Sequence, residues 1–268
     1  MDAMAPAGDE RGSERPEAFV QSLARGLAVI RAFDAEHPQL TLSEVARRTG
    51  LTRAAARRFL LTLVELGYVR SAGRLFELRP RVLELGYAYL SGLSVPEVAR
   101  PHMEQLAAEV HESCSLSVLD DEEIVYVARV PATRIMTVAI NVGTRFPAHA
   151  TSMGRVLLAA RPEADRERYL RTAQLTALTP FTVTDPDRLR RALAEVGDQG
   201  WALVDQELEE GLRSIAVPVR DGDGAVLAAM NISASARHIT PEAVRDELLP
   251  ALRAAAREIE LDLRRSPG

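Results

Sequence analysis

The chain has 268 residues, of which 47% are hydrophobic and 26% are charged, and its formal net charge at pH 7 is −5. This composition is typical of a globular protein that is long enough for one large core or two modest ones. Its apolar runs fall short of the roughly 18 residues that a membrane-spanning helix requires. Residues 1–16 are acidic and contain no apolar stretch, so we expect a disordered leader and not a signal peptide or an anchor.

The cysteine and histidine content argues against metal and redox chemistry. Cys114 is the single cysteine, which excludes an intrachain disulfide and fits a cytoplasmic location. The five histidines show no metal-ligand spacing, and the chain has no phosphate-binding loop or dinucleotide-binding glycine pattern. We therefore expect no metal, no cofactor and no catalytic site.

The positive charge is unevenly distributed along the chain. All 33 cationic side chains are arginines, and residues 41–81 contain nine of them against three acidic residues. Arginine presents a planar guanidinium that suits phosphate oxygens. A basic segment within an acidic protein indicates a polyanionic partner at one end only.

Helix signals in the same region predict a helix-turn-helix. Apolar residues at helical spacing, among them Leu23 and Leu27, predict a first amphipathic helix that ends near residue 34. Thr41 and Glu44 form a capping-box pattern at the start of a short second helix. Gly50 follows where that helix must end, and glycine suits the sharp turn needed there.

The third predicted helix carries most of the candidate DNA contacts. Thr52 is a good N-cap for a helix that runs to about residue 66, and the small alanines near its start would let it approach base edges. The arginines on its outer face would reach phosphates or guanine. A following hairpin, with strands at 68–70 and 75–78, would form a wing with an arginine near its tip. The residues that we expect to contact DNA are Thr41, Thr52, Arg53, Ala54, Ala55, Arg57, Arg58 and Arg74.

Each of these features has an ordinary alternative. Arginines on an exposed helix face are usually only solvated, and short helices joined through a glycine occur in many proteins that never bind DNA. The combination of a short capped helix, a glycine turn, a basic alanine-rich helix and a hairpin favours DNA binding.

The rest of the chain predicts a linker and a second domain. We place the DNA-binding domain at 17–79, and at 80–94 a linker helix that is apolar around much of its circumference and serves as a dimer contact. Residues 95–268 alternate between helices (96–112, 151–160, 163–171, 186–198 and 240–264) and strands (115–119, 124–130, 135–140, 201–205, 214–220 and 225–233). This pattern predicts an α/β domain around a mainly antiparallel sheet, with Pro250 a candidate kink in the last helix, and an α+β protein overall.

Several motifs resemble those of one known family. They are Ser22 to Leu27, the helix-turn-helix at 41–66, the stretch His149 to Arg155, and Asp205 with residues 211–214. In these motifs the chain resembles the IclR-type regulators, bacterial repressors and activators that join a winged helix-turn-helix to a GAF-like effector domain. Residues 19–23 and 131–147 are similar to the branch that controls protocatechuate, 4-hydroxybenzoate and β-ketoadipate catabolism.

The resemblance implies an effector pocket in the second domain. Carried over by position, its lining residues are Thr151, Ser152, Met153, Asp205, Leu212, Ser214, Asn231 and Ser233. Many relatives have cysteine in place of Ser214 and a small residue in place of Met153, which leaves the identity of the effector open.

The residues themselves favour a carboxylate effector. A helix that begins near Thr151 and Ser152 offers free N–H donors to an anion, and Arg134 in a nearby loop would add a bidentate partner. The alternatives are a surface position for Arg134, satisfied core polar groups on the strands, and a core-filling role for Met153.

The residues and the resemblance together predict a transcription regulator that binds double-stranded operator DNA as a homodimer or tetramer. The resemblance implies that it controls an aromatic-acid (β-ketoadipate pathway) catabolic operon and responds to a small carboxylate, either an aromatic acid or a β-ketoadipate-like acid. A member of the same family that responds to an unrelated small acid is an open alternative. An enzyme that uses Ser152, His149 and Asp205 is one alternative, although no serine lies in a Gly-x-Ser-x-Gly elbow. A ligand-independent architectural DNA-binding protein is another, although the second domain is large for that role. The operator, the effector and the sign of regulation do not follow from the sequence.

Overall fold

A computed structural model describes residues 19–34, 36–86, 94–132 and 140–265. The chain forms two compact units that divide between residues 88 and 89. The predicted leader, Arg134 and nearly all of the predicted strand at 135–140 lie outside the described residues. Among the described residues, no helix is long and apolar enough to cross a membrane.

The N-terminal unit is a winged helix-turn-helix. Its elements are helix α1 Gln21–Arg31, strand β1 Gln39–Thr41, helices α2 Leu42–Thr49 and α3 Arg53–Glu65, and strands β2 Val69–Ala72 and β3 Leu75–Leu78. The strands form an antiparallel sheet in the order β1-β3-β2, so the predicted wing gains a short strand that the sequence analysis missed.

The predicted capping signals all form. The Thr41 hydroxyl accepts a hydrogen bond from the Glu44 backbone N–H at 3.3 Å, and the Glu44 carboxylate accepts one from the Thr41 backbone N–H at 2.7 Å. Gly50 adopts the left-handed conformation with φ of 66°, and the Thr52 hydroxyl accepts from the Ala55 backbone N–H at 3.2 Å. Each bond satisfies a donor that a helix end would otherwise leave free.

The first predicted helix forms but ends earlier than predicted. Helix α1 ends at Arg31, and the side chains of Leu23 and Leu27 are 63% and 48% exposed. Phe33 and, in part, Ile30, which belong to the same predicted apolar pattern, pack in the core of this unit together with Val29. Helix α1 therefore presents two of its leucines to solvent in the single chain.

The predicted linker helix is described only at its start. Pro80–Leu83 form a 3₁₀ turn, residues 84–86 are helical, and residues 87–93 lie outside the described residues. Leu83 and Leu85 are exposed. The roles of this segment as a linker and as a dimer contact stay predictions.

The C-terminal unit combines helices with one sheet. Its helices are α4 Ser94–Val110, α5 Ser152–Ala159, α6 Glu163–Thr172, α7 Pro186–Gln199 and α8 Leu249–Arg265, the last preceded by a turn at Pro241–Ala243 and a π-helical segment at Val244–Leu248. Its strands are β4 Ser113–Asp120, β5 Glu123–Val130, β6 Arg145–Pro147, β7 Ala202–Asp205, β8 Leu212–Arg220 and β9 Val226–Ser235. Strand β6 was not predicted, because three residues are too few to show an alternating pattern.

The six strands form a sheet in the order β6-β5-β4-β9-β8-β7, and every neighbouring pair is antiparallel, as predicted. Met230 and Ile232 of β9 belong to the core that α4 and α8 cover. Successive residues of a strand point to opposite faces, so Asn231 between them points toward α5. This alternation places a row of polar residues under the start of α5.

Candidate functional site

The exposed face of α3 is basic. The side chains of Arg53, Arg57 and Arg58 are exposed, whereas Ala56 and Leu60 are buried in the core. Within the described part of the chain, none of these three guanidinium groups forms an ion pair. This face therefore keeps its positive charge available for an external polyanion.

The two predicted threonine contacts differ in geometry. The Thr52 hydroxyl accepts from Ala55 at the exposed start of α3, where Ala54 is also exposed. The Thr41 hydroxyl both accepts from the Glu44 N–H and donates to the Glu44 carboxylate at 2.7 Å. The hydrogen-bonding capacity of Thr41 is thus used within the capping box, and its geometry fits a helix cap better than a DNA contact.

The tip of the wing carries a further exposed cation. Gly73 and Arg74 connect β2 to β3, and Gly73 has a φ of 65°, a conformation that glycine adopts without strain. Arg74 is exposed, whereas Arg70 pairs with Glu77 across the hairpin. Within the described ranges, the arginines on α3 and at the wing tip therefore pair with no internal carboxylate.

A pocket in the C-terminal unit lies between the start of α5 and strands β8 and β9. It brings together seven of the predicted effector residues: Thr151, Ser152, Met153, Leu212, Ser214, Asn231 and Ser233. Five further described residues, which the sequence analysis did not name, also line it: Tyr126, Ile140, Ala150, Val204 and Leu208. The cavity volume is about 20 Å³, which gives room for about one water molecule.

The N-terminus of α5 offers hydrogen-bond donors to this pocket. Thr151 is the N-cap, and its hydroxyl accepts from the Gly154 backbone N–H at 3.0 Å. The first backbone amides of a helix, here those of Ser152 and Met153, have no intrahelical acceptor. Together with the helix dipole, these amides form a site suited to an anion.

A hydroxyl and amide network lies beside those donors. The Ser152 and Ser214 hydroxyl oxygens are 2.8 Å apart. The Asn231 side-chain NH₂ donates to the Ser214 and Ser233 hydroxyls at 2.8 and 2.9 Å. All four side chains are buried, so the network is a rigid polar wall and not a solvated surface.

Close backbone packing fixes the position of α5. A Cβ atom on Gly154 would lie 2.2 Å from the carbonyl oxygen of Ala148, so only glycine fits there. This contact presses the first turn of α5 against the 3₁₀ turn Ala148–Ala150. Glycine is therefore required at position 154 because the backbone of α5 lies in direct contact with the backbone of this turn.

A buried ion pair joins α5 to the loop that leads into β8. The Arg155 guanidinium donates to the Glu207 carboxylate at 2.6 Å and to the His149 carbonyl at 2.9 Å, and both charged side chains are less than 10% exposed. The same carboxylate oxygen accepts from the Val183 N–H at 2.8 Å. Because Leu208 follows Glu207 and lines the pocket, the pair ties one wall of the pocket to the start of α5.

Two predicted effector residues are not part of the described pocket. Asp205 does not line the described cavity, and its carboxylate accepts from the Arg213 guanidinium in a bidentate pair at 2.7 and 3.0 Å, so its role toward the effector stays a prediction. Its neighbour Val204 lines the pocket instead, as the alternation along a strand requires. Arg134 lies outside the described residues.

Tyr126 is the main pocket residue that sequence reasoning missed. Burial raises the pKa of its hydroxyl to about 12, with Arg129 opposing the shift, so the phenol is neutral at pH 7. Its ring packs edge-on against Phe146 with 5.8 Å between centroids. A polar aromatic residue in the middle of a buried strand was the signal that could have identified it.

The side chains named for an enzyme are engaged elsewhere. The Ser152 hydroxyl contacts Ser214, whereas the His149 ring nitrogen lies 3.2 Å from the Thr176 carbonyl oxygen. Burial lowers the pKa of His149. In the described ranges, no group of three or more histidine, cysteine, aspartate or glutamate side chains could hold a metal ion.

Two family models match the chain. The model "IclR helix-turn-helix domain" matches residues 22–73, and the model "Bacterial transcriptional regulator IclR C-terminal" matches residues 87–261. The Pca regulon regulatory protein of Pseudomonas putida is 45% identical over 242 residues, which cover 90% of this chain and 83% of that protein.

Solved structures agree with this match. A transcriptional regulator from Rhodococcus sp. RHA1 is 57% identical with a TM-score of 0.82, over 91% of this chain and 98% of that one. An IclR homologue from Microbacterium hydrocarbonoxydans, complexed with 4-hydroxybenzoate, is 32% identical with a TM-score of 0.80, over 91% of this chain and all of that one. These relatives are regulators and not enzymes, and the chain belongs to the IclR family of DNA-binding transcriptional regulators.

Proposed function

We propose that this regulator controls an operon for aromatic-acid catabolism and that a small aromatic carboxylate, bound at the start of α5, changes its affinity for DNA. The observation that carries the proposal is the pocket, where the free amides of Ser152 and Met153 meet a buried wall of hydroxyl groups. The Microbacterium relative complexed with 4-hydroxybenzoate supports this ligand class, and the Pseudomonas relative named for the Pca regulon supports the kind of operon.

Binding of an aromatic acid requires the pocket to expand. The cavity volume of about 20 Å³ is far smaller than a benzoate ring. Met153 is the side chain best able to move, because it is unbranched and flexible. Leu208 and Leu212 also line the cavity, and they lie next to the loop that the Arg155–Glu207 pair holds in place. A ligand that displaces these groups favours one conformation over another, which is the basis of allosteric control.

We further propose that α3 enters the major groove with its N-terminus first. Arg53, Arg57 and Arg58 then contact phosphates or guanine, Ala54 and Ala55 allow close approach to base edges, and the wing places Arg74 on the backbone or in the minor groove. Thr52 adds a hydroxyl donor at the start of α3.

A second copy of the chain is the partner that this model requires. Helix-turn-helix proteins bind paired half-sites one or two helical turns apart, which calls for a symmetric dimer or a tetramer. The exposed leucines of α1, Leu23 and Leu27, with Val20 beside them, form an apolar face suited to a second copy. Sedimentation of the wild type and of Leu23→Glu tests this proposal. We expect the variant to dissociate into single chains. An unchanged oligomer mass would show that this face of α1 is not the interface.

The effector is tested by titration calorimetry with 4-hydroxybenzoate, protocatechuate, benzoate and β-ketoadipate. DNA affinity is then measured on a duplex selected by the protein from a random library, with and without each acid. We expect an aromatic acid to bind and to change DNA affinity at least 5-fold, a typical allosteric coupling of about 1 kcal/mol or more. A regulator of unrelated small acids would bind none of the four, and that result would refute the proposal.

A further inference from the structure

A buried arginine lies on one of the strands that line the pocket. Arg213 of β8 is 7% exposed, and its guanidinium donates to both carboxylate oxygens of Asp205 in β7, at 2.7 and 3.0 Å. The same guanidinium donates to the backbone carbonyl of Ile239, in the segment between β9 and the turn that precedes α8. One side chain therefore joins two neighbouring strands to the segment that leads into α8.

Arg213 alternates along β8 with two residues of the pocket. Leu212 and Ser214 line the cavity, so Arg213 between them points to the opposite face of the sheet. On that face the next residue of the strand, Ile215, belongs to the core that α4 and α8 cover. A movement of β8 that widens the cavity therefore also displaces the guanidinium of Arg213, because these side chains share one backbone.

The carbonyl of Ile239 connects this arginine to α8. Ile239 directly precedes Thr240, whose hydroxyl caps the turn Pro241–Ala243 by accepting from the Ala243 N–H at 3.2 Å. The turn continues without interruption through the π-helical segment into α8. Displacement of the Ile239 carbonyl is therefore a displacement of the N-terminal end of this helical segment.

Helix α8 in turn packs against α4. Their apolar side chains share one buried core, which includes Met103 of α4 and Leu252 of α8. His102 Nε2 of α4 also lies 2.9 Å from a carboxylate oxygen of Asp262 in α8. Helix α4 begins at Ser94, shortly after the division between the two units, so it is the described helix of the C-terminal unit that is nearest along the chain to the DNA-binding unit.

We infer that Arg213 is a positioning residue for the response to the effector, because its bonds to Asp205 and to the Ile239 carbonyl carry a movement of the pocket wall to α8 and α4. The inference rests on the proposed function, in which a ligand must widen a cavity of about 20 Å³. The planar guanidinium suits this role, since its rigid fork holds several acceptors in fixed directions. Charged hydrogen bonds in a buried site are strong, so the two strands and the segment before α8 move together.

The first test measures the response to the acid separately from binding of the acid. Fluorescence anisotropy gives the affinity for the selected duplex with and without saturating 4-hydroxybenzoate or protocatechuate, and calorimetry gives the Kd of each acid. In the wild type we expect at least about a 5-fold change of DNA affinity. In Arg213→Met we expect a change of less than about 2-fold, while the Kd of the acid and the affinity for DNA without acid stay within about 3-fold of the wild type.

Arg253→Met is the matched control. The partly buried guanidinium of Arg253 in α8 donates to a backbone carbonyl, as that of Arg213 does, but the acceptor is Gln199 at the end of α7 and the distance is 2.9 Å. This bond joins α8 to another helix and not to β8, so we expect the variant to keep the full response. An equal loss of response in both variants, or an undiminished response in Arg213→Met, overturns the inference.

The substitution itself leaves a tolerable site. The Asp205 side chain is 38% exposed, so its carboxylate stays hydrated without the arginine. If Arg213→Met does not fold, Arg213→Lys takes its place, because lysine keeps the positive charge and lacks the planar fork. We expect a reduced response in Arg213→Lys as well, and a full response overturns the inference.

The second test uses no ligand and therefore separates the inference from the proposed function. Amide hydrogen exchange of the free full-length protein reports local opening of each helix. In Arg213→Met we expect exchange at least about 3-fold faster than in the wild type in the turn Pro241–Ala243 and in the first two turns of α4, with α7 unchanged. Unchanged exchange in α4 overturns the inference whether or not an acid binds, whereas the absence of binding by every acid overturns only the proposed effector class.

Discussion

The arginines of α3 and those of the C-terminal unit differ in exposure and in pairing. In the N-terminal unit, Arg53, Arg57 and Arg58 project into solvent with no ion pair among the described residues. In the C-terminal unit, Arg155 and Arg213 are 5% and 7% exposed and each binds an internal carboxylate. The same type of side chain is solvated and without an internal carboxylate on the described face of α3, and is buried and paired in the C-terminal unit.

The difference shows what each site requires. A DNA-binding surface needs charge that is unpaired and solvated until phosphates replace counterions. A small-molecule pocket needs polar groups that are buried and held in place, because removal from water strengthens each hydrogen bond and makes each unpaired group costly. We therefore expect substitutions on α3 to change DNA affinity, and substitutions of the buried polar groups in the C-terminal unit to change the free energy of unfolding.

The largest expected effect is on the buried ion pair. Arg155→Met keeps a similar volume but leaves the Glu207 carboxylate buried without its cation, which costs about 3–5 kcal/mol. Urea unfolding followed by Trp201 fluorescence should show this loss. The matched change Arg190→Met, which breaks the exposed pairs of Arg190 with Glu167 and Asp187, should cost under about 1 kcal/mol. Similar losses in both variants would contradict the contrast between buried and exposed pairs.

A backbone contact gives the next effect. Gly154→Ala places a methyl group against the Ala148 carbonyl and should destabilise the C-terminal unit by about 1–3 kcal/mol. Gly197→Ala is the control, because Gly197 lies in α7 with no atom within 4 Å of the added carbon. That variant should be neutral or up to about 1 kcal/mol more stable. A thermal unfolding curve for each variant distinguishes the two outcomes.

The basic face of α3 should respond in binding and not in stability. Arg58→Ala should weaken binding to the selected duplex by roughly 5- to 150-fold if the side chain contacts a base, or lower the salt slope by about 0.9 if it contacts one phosphate. Arg191→Ala, an exposed arginine of the C-terminal unit, should change neither. Fluorescence anisotropy at several salt concentrations gives both quantities, and an inert Arg58 would argue against the proposed docking of α3.

The smallest expected effect is a pH dependence of the capping box. Hydrogen bonds from the Thr41 backbone and hydroxyl lower the pKa of Glu44 below 4.5. A depressed carboxyl pKa means that the contribution of Glu44 to stability is present above pH 4.5 and is lost as pH falls through the folded-state value. A carboxyl titration by NMR should therefore show a midpoint below 4.5, and Thr41→Val should move it upward. A midpoint at or above 4.5 would show that the box does not hold in solution.

Local signals explain why the N-terminal unit was largely predictable. The caps at Thr41 and Thr52 and the turn at Gly50 depend on residues within a few positions of each other, so the sequence displays them directly. The exception is α1, where periodicity marked Leu23, Leu27 and Phe33 as one apolar pattern without showing that only its C-terminal part would enter the core of this unit.

The pocket, in contrast, could be predicted only in part from the sequence. Family resemblance indicated seven of its residues, but Tyr126 and Val204 join it only because β5 and β7 face the same side of the sheet as Asn231. Asp205, which the resemblance also indicated, pairs with Arg213 and is not among the described lining residues.

The sequence by itself determined the helix-turn-helix, its caps, its basic face and most of the order of elements in the second unit, because those features arise from neighbours along the chain. The tertiary structure alone decided that Arg155 meets Glu207 across 52 positions and that the side-chain oxygen of Asn231 has no hydrogen-bond partner within the described ranges. Such contacts depend on how strands pair and on which face each residue occupies, and a shift of one residue along a strand reverses that face.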